Sequence, residues 1–177
     1  MTQGALAARA GLAQSVLSAY ENGKRAIPVE VFVRLADAAD ATVLVRTRPR
    51  HTLVGLPALL DAVVDGSPAG DRDGFRIVCE FLAAAVKADR FDAVAMINDE
   101  PAPVAPKWDA LLGAVAEDVA ARHALPVPSW SVSPGRFVEP WWFVSPYKSQ
   151  QAHAFATASG PYKARGVFVA PESLESM

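Results

Sequence analysis

The chain has 177 residues, of which 51% are hydrophobic and 20% are charged, and its formal net charge is −2. This composition is typical of a globular protein with a sizeable core and excludes a disordered or fibrous chain. A single cysteine excludes an intramolecular disulfide framework, and we find neither a signal peptide nor an apolar run of membrane-spanning length, so we expect a cytoplasmic protein without a membrane partner.

Charge is distributed unevenly along the chain. Residues 1–50 contain seven basic and four acidic residues, whereas the remainder contains ten basic and fifteen acidic ones. A basic part on an acidic body is typical of proteins in which one part binds DNA. A net charge of +3 over fifty residues also lies within ordinary scatter. The motifs therefore carry more weight than the charge.

Residues 2–21 predict two short helices separated by a turn. Thr2 is a suitable N-cap because its hydroxyl can accept a hydrogen bond from a free backbone N–H, and Gly11 can adopt the positive φ that ends a helix. A second helix is predicted to begin near Ala13. Two short helices joined by a glycine-containing turn form a helix-turn-helix unit. The inner face of the second helix carries Val16, Leu17 and Tyr20.

Further residues extend this pattern over residues 2–45. They are Gln3, Leu6-Ala7, Ala10-Gly11-Leu12, Gln14-Ser15, Glu21-Asn22-Gly23-Lys24-Arg25, and a helix that starts at Pro28 and holds Phe32, Leu35 and Ala36. At these spacings the segment resembles the helix-turn-helix of the XRE family, the Cro and lambda-repressor type. That family normally has another helix before this point. The usual first helix is lacking here, so we expect either a start codon placed too late or another part of the protein covering Leu6, Leu17 and Leu35.

The resemblance and the helix geometry together assign roles to polar residues. The N-terminus of a recognition helix enters the major groove, and the helix before it crosses the DNA backbone. Gln14 lies at the entering end, and a glutamine amide can pair with an adenine edge, which contributes about 1–3 kcal/mol of discrimination. The alternative is an exposed polar surface without a partner, and for Lys24 and Arg25 a solvated loop is equally well supported. The expected DNA contacts are Gln3, Gln14, Ser15, Ser18, Ala19, Asn22, Lys24 and Arg25.

Residues 42–48, with the sequence TVLVRTR, alternate in polarity and are rich in β-branched residues, which predicts a short strand. An open strand edge invites pairing, so this strand is either a dimer seam or part of an internal hairpin, and the sequence favours neither. The Pro49-Arg50-His51 segment then marks a boundary. We therefore assign residues 1–48 to a DNA-binding domain.

Beyond residue 48 the hydrophobic periodicity predicts mainly helices, so the fold class is mainly α. We assign residues 49–74 to a connecting helix and linker, and residues 75–177 to a helical domain with short β pieces. Cys79 reads as a packed hydrophobe. The elements expected are helices over residues 56–64, 75–88, 107–123 (the longest) and 149–157, a loop or linker over residues 65–74, and a short VFV strand near the C-terminus.

Residues 125–144 combine prolines with a high density of aromatic residues, including Trp130, Trp141 and Trp142. One explanation, which the sequence favours, is an irregular segment whose aromatic side chains fill the core. The other is a surface for a partner or ligand, because exposed tryptophans mark binding hot spots. On the second explanation the three tryptophans are the candidate partner contacts.

Three segments in this region carry a second resemblance. They are PKWDALLGAVAEDVAARHALPVPSW, GRFVEPWWFVSP and GPYKARGVFVAPESLE. They are similar to the C-terminal part of actinobacterial XRE-type regulators of the antitoxin kind, some of which are encoded beside nucleotidyltransferase toxins of the AbiE type. The resemblance implies a helical domain that binds a partner or senses a signal, and it assigns no catalytic residue.

We therefore predict a sequence-specific transcriptional repressor that binds a pseudo-palindromic operator in double-stranded DNA as a homodimer. It would be the autoregulating antitoxin of a toxin–antitoxin pair and hold its toxin, such as a nucleotidyltransferase, through the C-terminal domain. The first alternative is a regulator with a small-molecule pocket near Trp130 and Trp141. An enzyme ranks last, and we expect no metal or cofactor, because the sequence shows no nucleophile–base pair and no ligand spacing among His51, His123 and His153.

Overall fold

The computed structural model of the protein describes residues 2–43 and 51–175. The chain divides into two compact units, Met1–Thr47 and Arg48–Met177. Within the described residues there are ten α-helices and two strands of two residues each, which confirms the mainly α fold class. The strand predicted over residues 42–48, and the dimer seam with it, lies outside the described residues except for Thr42 and Val43, which are not in a strand.

The N-terminal unit consists of three helices around a small core. The helices are α1 (Gln3–Arg9), α2 (Gln14–Glu21) and α3 (Val29–Ala38). Leu17 and Leu35 are buried within the unit itself, and Leu6 packs against the same cluster. Phe32 of α3, by contrast, is 48% exposed. The buried residues of this cluster are Ala7, Ala10, Leu17, Leu35 and Ala38.

Local hydrogen bonds define the ends of these three helices. Thr2 caps α1 as predicted, because its hydroxyl accepts a hydrogen bond from the N–H of Ala5 at 3.3 Å. A residue with positive φ lies two positions after the last residue of each helix, and it is Gly11 (66°), Gly23 (66°) and Asp40 (56°) in turn. In all three cases the next N–H donates to a carbonyl of the last helical turn, which is the Schellman arrangement. Short-range bonds therefore set the lengths of the helices.

The second unit is built around α7 (Pro106–Arg122), which is buried on nearly all sides. Helices α5 (Pro68–Lys87) and α6 (Arg90–Ile97) contact α7, and α4 (Leu56–Val63) packs on α5. The rest of the cover comes from the 3₁₀ turns Ser129–Val132 and Pro134–Arg136, α9 (Gly160–Ala164) and β2 (Val167–Phe168). β1 (Trp142–Phe143) pairs with β2 in parallel, and the remaining helices are α8 (Lys148–Thr157) and α10 (Pro171–Glu175).

The loop predicted over residues 65–74 is wrong from residue 68 onwards, where α5 begins. Ser67 caps this helix, because its hydroxyl accepts a hydrogen bond from the N–H of Gly70 at 3.0 Å. Gly74 allows α5 to pack closely against Trp108, because a Cβ at that position would lie 2.7 Å from the Trp108 ring. With these residues included, α5 has 20 residues and α7 has 17, so α5 rather than α7 is the longest helix described.

Two buried arginines lie beside α7. Arg136 is 3% exposed and pairs with Asp109 of α7 at 3.0 Å. Arg165 is 2% exposed and pairs with Glu117, about two turns further along α7. Gly113 makes room between them, because a Cβ there would lie 3.0 Å from the Arg165 Nε and 3.1 Å from the Arg136 Cβ. The centre of this unit therefore combines apolar packing with paired charges.

Candidate nucleic-acid interface

Helix α2 presents two different faces, as the sequence predicts. Leu17 is buried in the unit, whereas Gln14 and Ser15 are exposed. Ala13 occupies the N-cap position without a side-chain hydrogen bond to the helix. The first backbone N–H groups of α2 therefore lack intrahelical acceptors and carry the positive end of the helix dipole, an arrangement that suits a phosphate group.

Three side chains link the start of α1 to both ends of α2. The Gln14 Nε2 donates to the Gln3 Oε1 at 3.4 Å, and the Gln3 Nε2 donates to the Glu21 Oε2 at 2.5 Å. The Gln14 amide lies beside Gly4, where a Cβ would be 3.7 Å from the Gln14 Oε1. The groove residue and the backbone-crossing residue of the prediction therefore belong to one hydrogen-bonded set, which we call the amide chain (Gln14, Gln3 and Glu21).

The loop after α2 holds the remaining candidates. The Asn22 Nδ2 donates to the Ser18 carbonyl at 2.7 Å and approaches the Ser18 hydroxyl at 3.3 Å. Asn22 thus has a structural role at the end of α2 that the sequence analysis did not assign. The Arg25 guanidinium lies 5.8 Å from the centre of the Tyr20 ring, in cation–π geometry. Lys24 is exposed, while Ser18 and Ala19 are half-buried.

The basic character predicted for residues 1–50 depends strongly on residues beyond the three helices. Residues 2–43 contain four basic and four acidic residues. One of the basic residues, Arg9, pairs at 3.1 Å with Asp40, the positive-φ residue that follows α3. The three arginines that produce the excess, Arg46, Arg48 and Arg50, lie outside the described residues. Within the described unit, the groups available to a ligand are therefore polar side chains and helix ends, without an excess of positive charge.

The three candidate tryptophans of the second unit have different environments. Trp130 is 8% exposed and its indole N–H donates to the Ile97 carbonyl at 3.1 Å, so it is a core residue and not a surface contact. Trp142 is half-buried, with its ring 5.2 Å from that of Trp108. Trp141 is 59% exposed. The core-filling explanation therefore holds for Trp130 and largely for Trp142, and leaves Trp141 as the candidate contact.

Trp141 belongs to an exposed group of aromatic side chains. Its ring centre lies 5.8 Å from that of Phe155, which is 50% exposed, and 5.1 Å from that of Phe168. We call Trp141 and Phe155 the aromatic patch. Beside it, Glu139, Pro140 and Trp141 line a depression that is open to solvent. Trp130 does not line this depression.

The titratable side chains of the second unit mostly have structural roles. Burial raises the pKa of the Cys79 thiol to about 12, so the thiol is protonated near neutral pH and is a poor nucleophile. The His123 Nε2 lies 2.9 Å from the Ala85 carbonyl, and the His153 Nε2 lies 2.6 Å from the Glu172 carboxylate. Burial and the Asp118 carboxylate raise the pKa of Tyr162 well above its usual value. In residues 2–43 and 51–175 we find no group of three His, Cys, Asp or Glu side chains that could hold a metal ion.

The same described ranges contain no helix that is both long and apolar enough to cross a lipid bilayer. Residues 1–43 match the family model described as Helix-turn-helix. No curated protein and no solved structure matches the chain. The match and the geometry of α1 to α3 identify this segment as an XRE-type helix-turn-helix. The class of protein that such a domain defines is a DNA-binding transcriptional regulator.

Proposed function

We propose that the protein is a cytoplasmic, sequence-specific repressor that inserts the N-terminal end of α2 into the major groove of double-stranded DNA. The observation that supports this most directly is the amide chain. Gln14 projects from the uncapped first turn of α2 and is bonded to Gln3 at the start of α1. A recognition helix in the groove and a preceding helix across the backbone would bring both residues to the DNA together.

The remaining candidates divide between bases and phosphates. Ser15 is exposed in the first turn of α2, next to Gln14, and its hydroxyl can reach a base edge or a phosphate. Lys24 and Arg25 follow the helix and would bind the phosphates that flank the groove. Binding as a homodimer would place two copies of α2 in successive major grooves. The operator would then have two half-sites about 34–36 Å apart.

The test replaces Gln14 and Ser15 by alanine in the full chain. A duplex selected by the unchanged protein from a randomised pool serves as the probe. Loss of the Gln14 contact should weaken binding by roughly 5- to 150-fold, because one base contact contributes about 1–3 kcal/mol, and loss of the Ser15 contact should add to this. Gln150→Ala, which removes an exposed glutamine from the other unit, is the matched control and should leave the affinity unchanged. Equal binding by the Gln14/Ser15 variant would contradict the groove assignment.

We further propose that the repressor is the autoregulating antitoxin of a toxin–antitoxin pair and that its second unit binds the toxin, for which a nucleotidyltransferase is the expected type. The aromatic patch supports a protein partner. Large aromatic side chains that are half exposed are a feature of interaction hot spots. The depression beside the patch is open, which favours a broad protein contact over the small-molecule pocket of the alternative hypothesis.

Co-expression with the product of the adjacent gene tests the partner proposal. The two proteins should co-purify, and Trp141→Ala should weaken the complex by at least about 2 kcal/mol, as expected for a hot-spot residue. Val132→Ala is the control, because Val132 is a similarly exposed apolar residue outside the patch. A complex that forms equally well without the Trp141 ring would exclude the patch as its interface. Failure of the two proteins to associate would exclude the antitoxin assignment.

A further inference from the structure

Glu21 ends the amide chain, and its chemistry fixes the direction of the chain. An ionised carboxylate can only accept hydrogen bonds, so the Gln3 amide must present its Nε2 to Glu21. The Gln3 Oε1 is then left facing Gln14, and Gln14 must donate to it through its own Nε2. The orientation of two side-chain amides therefore follows from a single charged group.

This direction determines what Gln14 offers to DNA. One N–H of the Gln14 Nε2 is used on Gln3, which leaves one N–H and the Oε1 available. That pair matches the major-groove edge of adenine, where N7 accepts and the N6 amino group donates. If both amides were reversed, Gln14 would accept from Gln3 through one lone pair of Oε1 and keep two N–H donors and the second lone pair. Only this orientation has the two donors that guanine needs, because its N7 and O6 both accept, so the reversed orientation admits guanine as well as adenine.

We propose that Glu21 is a positioning residue that sets the base preference of Gln14 to adenine over guanine, an inference that rests on the proposed insertion of α2 into the major groove. Glu21 itself need not touch a base. Its role is to make one of the two amide orientations available and to exclude the other. A glutamine at the same position could donate or accept, so it would allow both orientations.

The experiment compares full-chain variants on a pool of DNA duplexes whose sequence is randomised over the length of two half-sites. All measurements are made at one fixed salt concentration. The base pair read by Gln14 is the one whose preference disappears in Gln14→Ala. At that position the ratio of affinities for adenine and guanine is measured for the unchanged protein, Glu21→Gln and Glu21→Lys. A ratio is used because a change of charge alters the affinity for all sequences by the same factor, which cancels in the ratio. A difference between variants in the fraction of folded protein cancels in the same way.

The unchanged protein should prefer adenine at this position. Glu21→Gln should reduce that preference by roughly 5- to 150-fold, towards equality, with little change at the other base pairs. Glu21→Lys, which can only donate to Gln3, should impose the reversed orientation and likewise bring the preference close to equality. An unchanged adenine-to-guanine ratio in both variants, or a guanine preference in the unchanged protein, would overturn the role of Glu21 while the repressor assignment stands. Failure of the unchanged protein to select any sequence would overturn the repressor assignment, and the Glu21 inference with it.

Discussion

The two units of the protein place their polar side chains in opposite ways. In the N-terminal unit the buried residues are alanines and leucines, and the polar side chains considered for DNA contact lie at or near the surface. In the second unit Arg136 and Arg165 are buried beside α7, and Asp109 is a buried residue of α7 itself. The charged groups described as buried thus all belong to the second unit.

This difference affects both the stability and the function of the two units. A small apolar core with well-formed helix ends leaves the polar groups of the N-terminal unit free to face a ligand, but it offers little reserve of stability. In the second unit, burial of the charged side chains costs desolvation free energy. That cost is offset only while each buried charge keeps its oppositely charged partner. Paired charges in a fixed geometry also hold in place the irregular segment after α7, which carries Trp141 of the aromatic patch.

The largest effect is expected from breaking a buried ion pair. Arg136→Ala leaves the Asp109 carboxylate, which is 8% exposed, without its cation, and should lower the free energy of unfolding of the second unit by about 3–5 kcal/mol. Urea unfolding followed by tryptophan fluorescence reports this unit selectively, because all four tryptophans lie after residue 107.

Arg76→Ala is the control for this measurement. Arg76 pairs with Glu80 at 3.1 Å, but both side chains are more than half exposed, so the loss should be about 1 kcal/mol or less. Similar losses of unfolding free energy in the two variants would show that Asp109 contacts water or another partner when Arg136 is removed. The buried charges of the second unit would then depend less on one another than we expect.

The next effect concerns the small core of the N-terminal unit. Leu17 is 2% exposed, and Leu17→Ala should cost at least about 2 kcal/mol through lost burial and an unfilled cavity. With so few buried residues to share the loss, the three helices should unfold well before the second unit. Far-ultraviolet circular dichroism would then show an early transition, while tryptophan fluorescence keeps its original midpoint.

Val33→Ala is the matched control, because Val33 is 39% exposed on α3 and its truncation should leave both transitions nearly unchanged. A shift of the tryptophan transition in Leu17→Ala would contradict independent folding of the two units.

Local signals explain which parts of this fold could be predicted from the sequence. Gly11, Thr2 and the period of α2 are short-range features, and each was found where the sequence placed it. The amide chain was only partly visible. Gln3 and Gln14 were recognised separately as candidates, but the bond from Gln3 to Glu21, 18 residues away, depends on how α1 and α2 cross.

The features that were missed depend on contacts between distant residues. Gly70 and Gly74 indicated a loop by composition, yet they lie in α5, and Gly74 is explained by a tryptophan 34 residues later. Arg136 looked like an ordinary residue of a proline-rich segment because its partner Asp109 lies 27 residues before it. Trp130 could be a core residue or a surface contact until its N–H was found bonded to Ile97.

A smaller effect follows from the close approach of α5 and α7. Gly74→Ala would place a Cβ 2.7 Å from the Trp108 ring and 2.9 Å from the Val64 side chain, which should cost about 1–3 kcal/mol through overpacking. The tryptophan unfolding midpoint measures this directly. Gly135→Ala is the control, since a Cβ there meets nothing within 4 Å, and equal midpoints for the two variants would show that α5 can move away from Trp108 at little cost.

The smallest effect should be a gain in stability. Helix α7 is followed by Ala124, which has a φ of 51° and occupies the same cap position that Gly11 and Gly23 occupy in the N-terminal unit. An alanine in the left-handed region carries a steric cost of about 1 kcal/mol that glycine avoids. Ala124→Gly should therefore raise the tryptophan unfolding midpoint, and its carbonyl can still accept from Arg90.

Ala121→Gly, inside the last turn of α7, should instead lower the midpoint by an amount equivalent to about 0.5–1 kcal/mol. Glycine at this position increases the entropy of the unfolded chain and relieves no strain in the folded one. Opposite signs for two identical substitutions three residues apart would show that the left-handed cap, and not helix propensity, controls the end of α7. A lower unfolding midpoint in both variants would mean that Ala124 is unstrained. The left-handed residue after α7 would then differ energetically from those that follow the helices of the N-terminal unit.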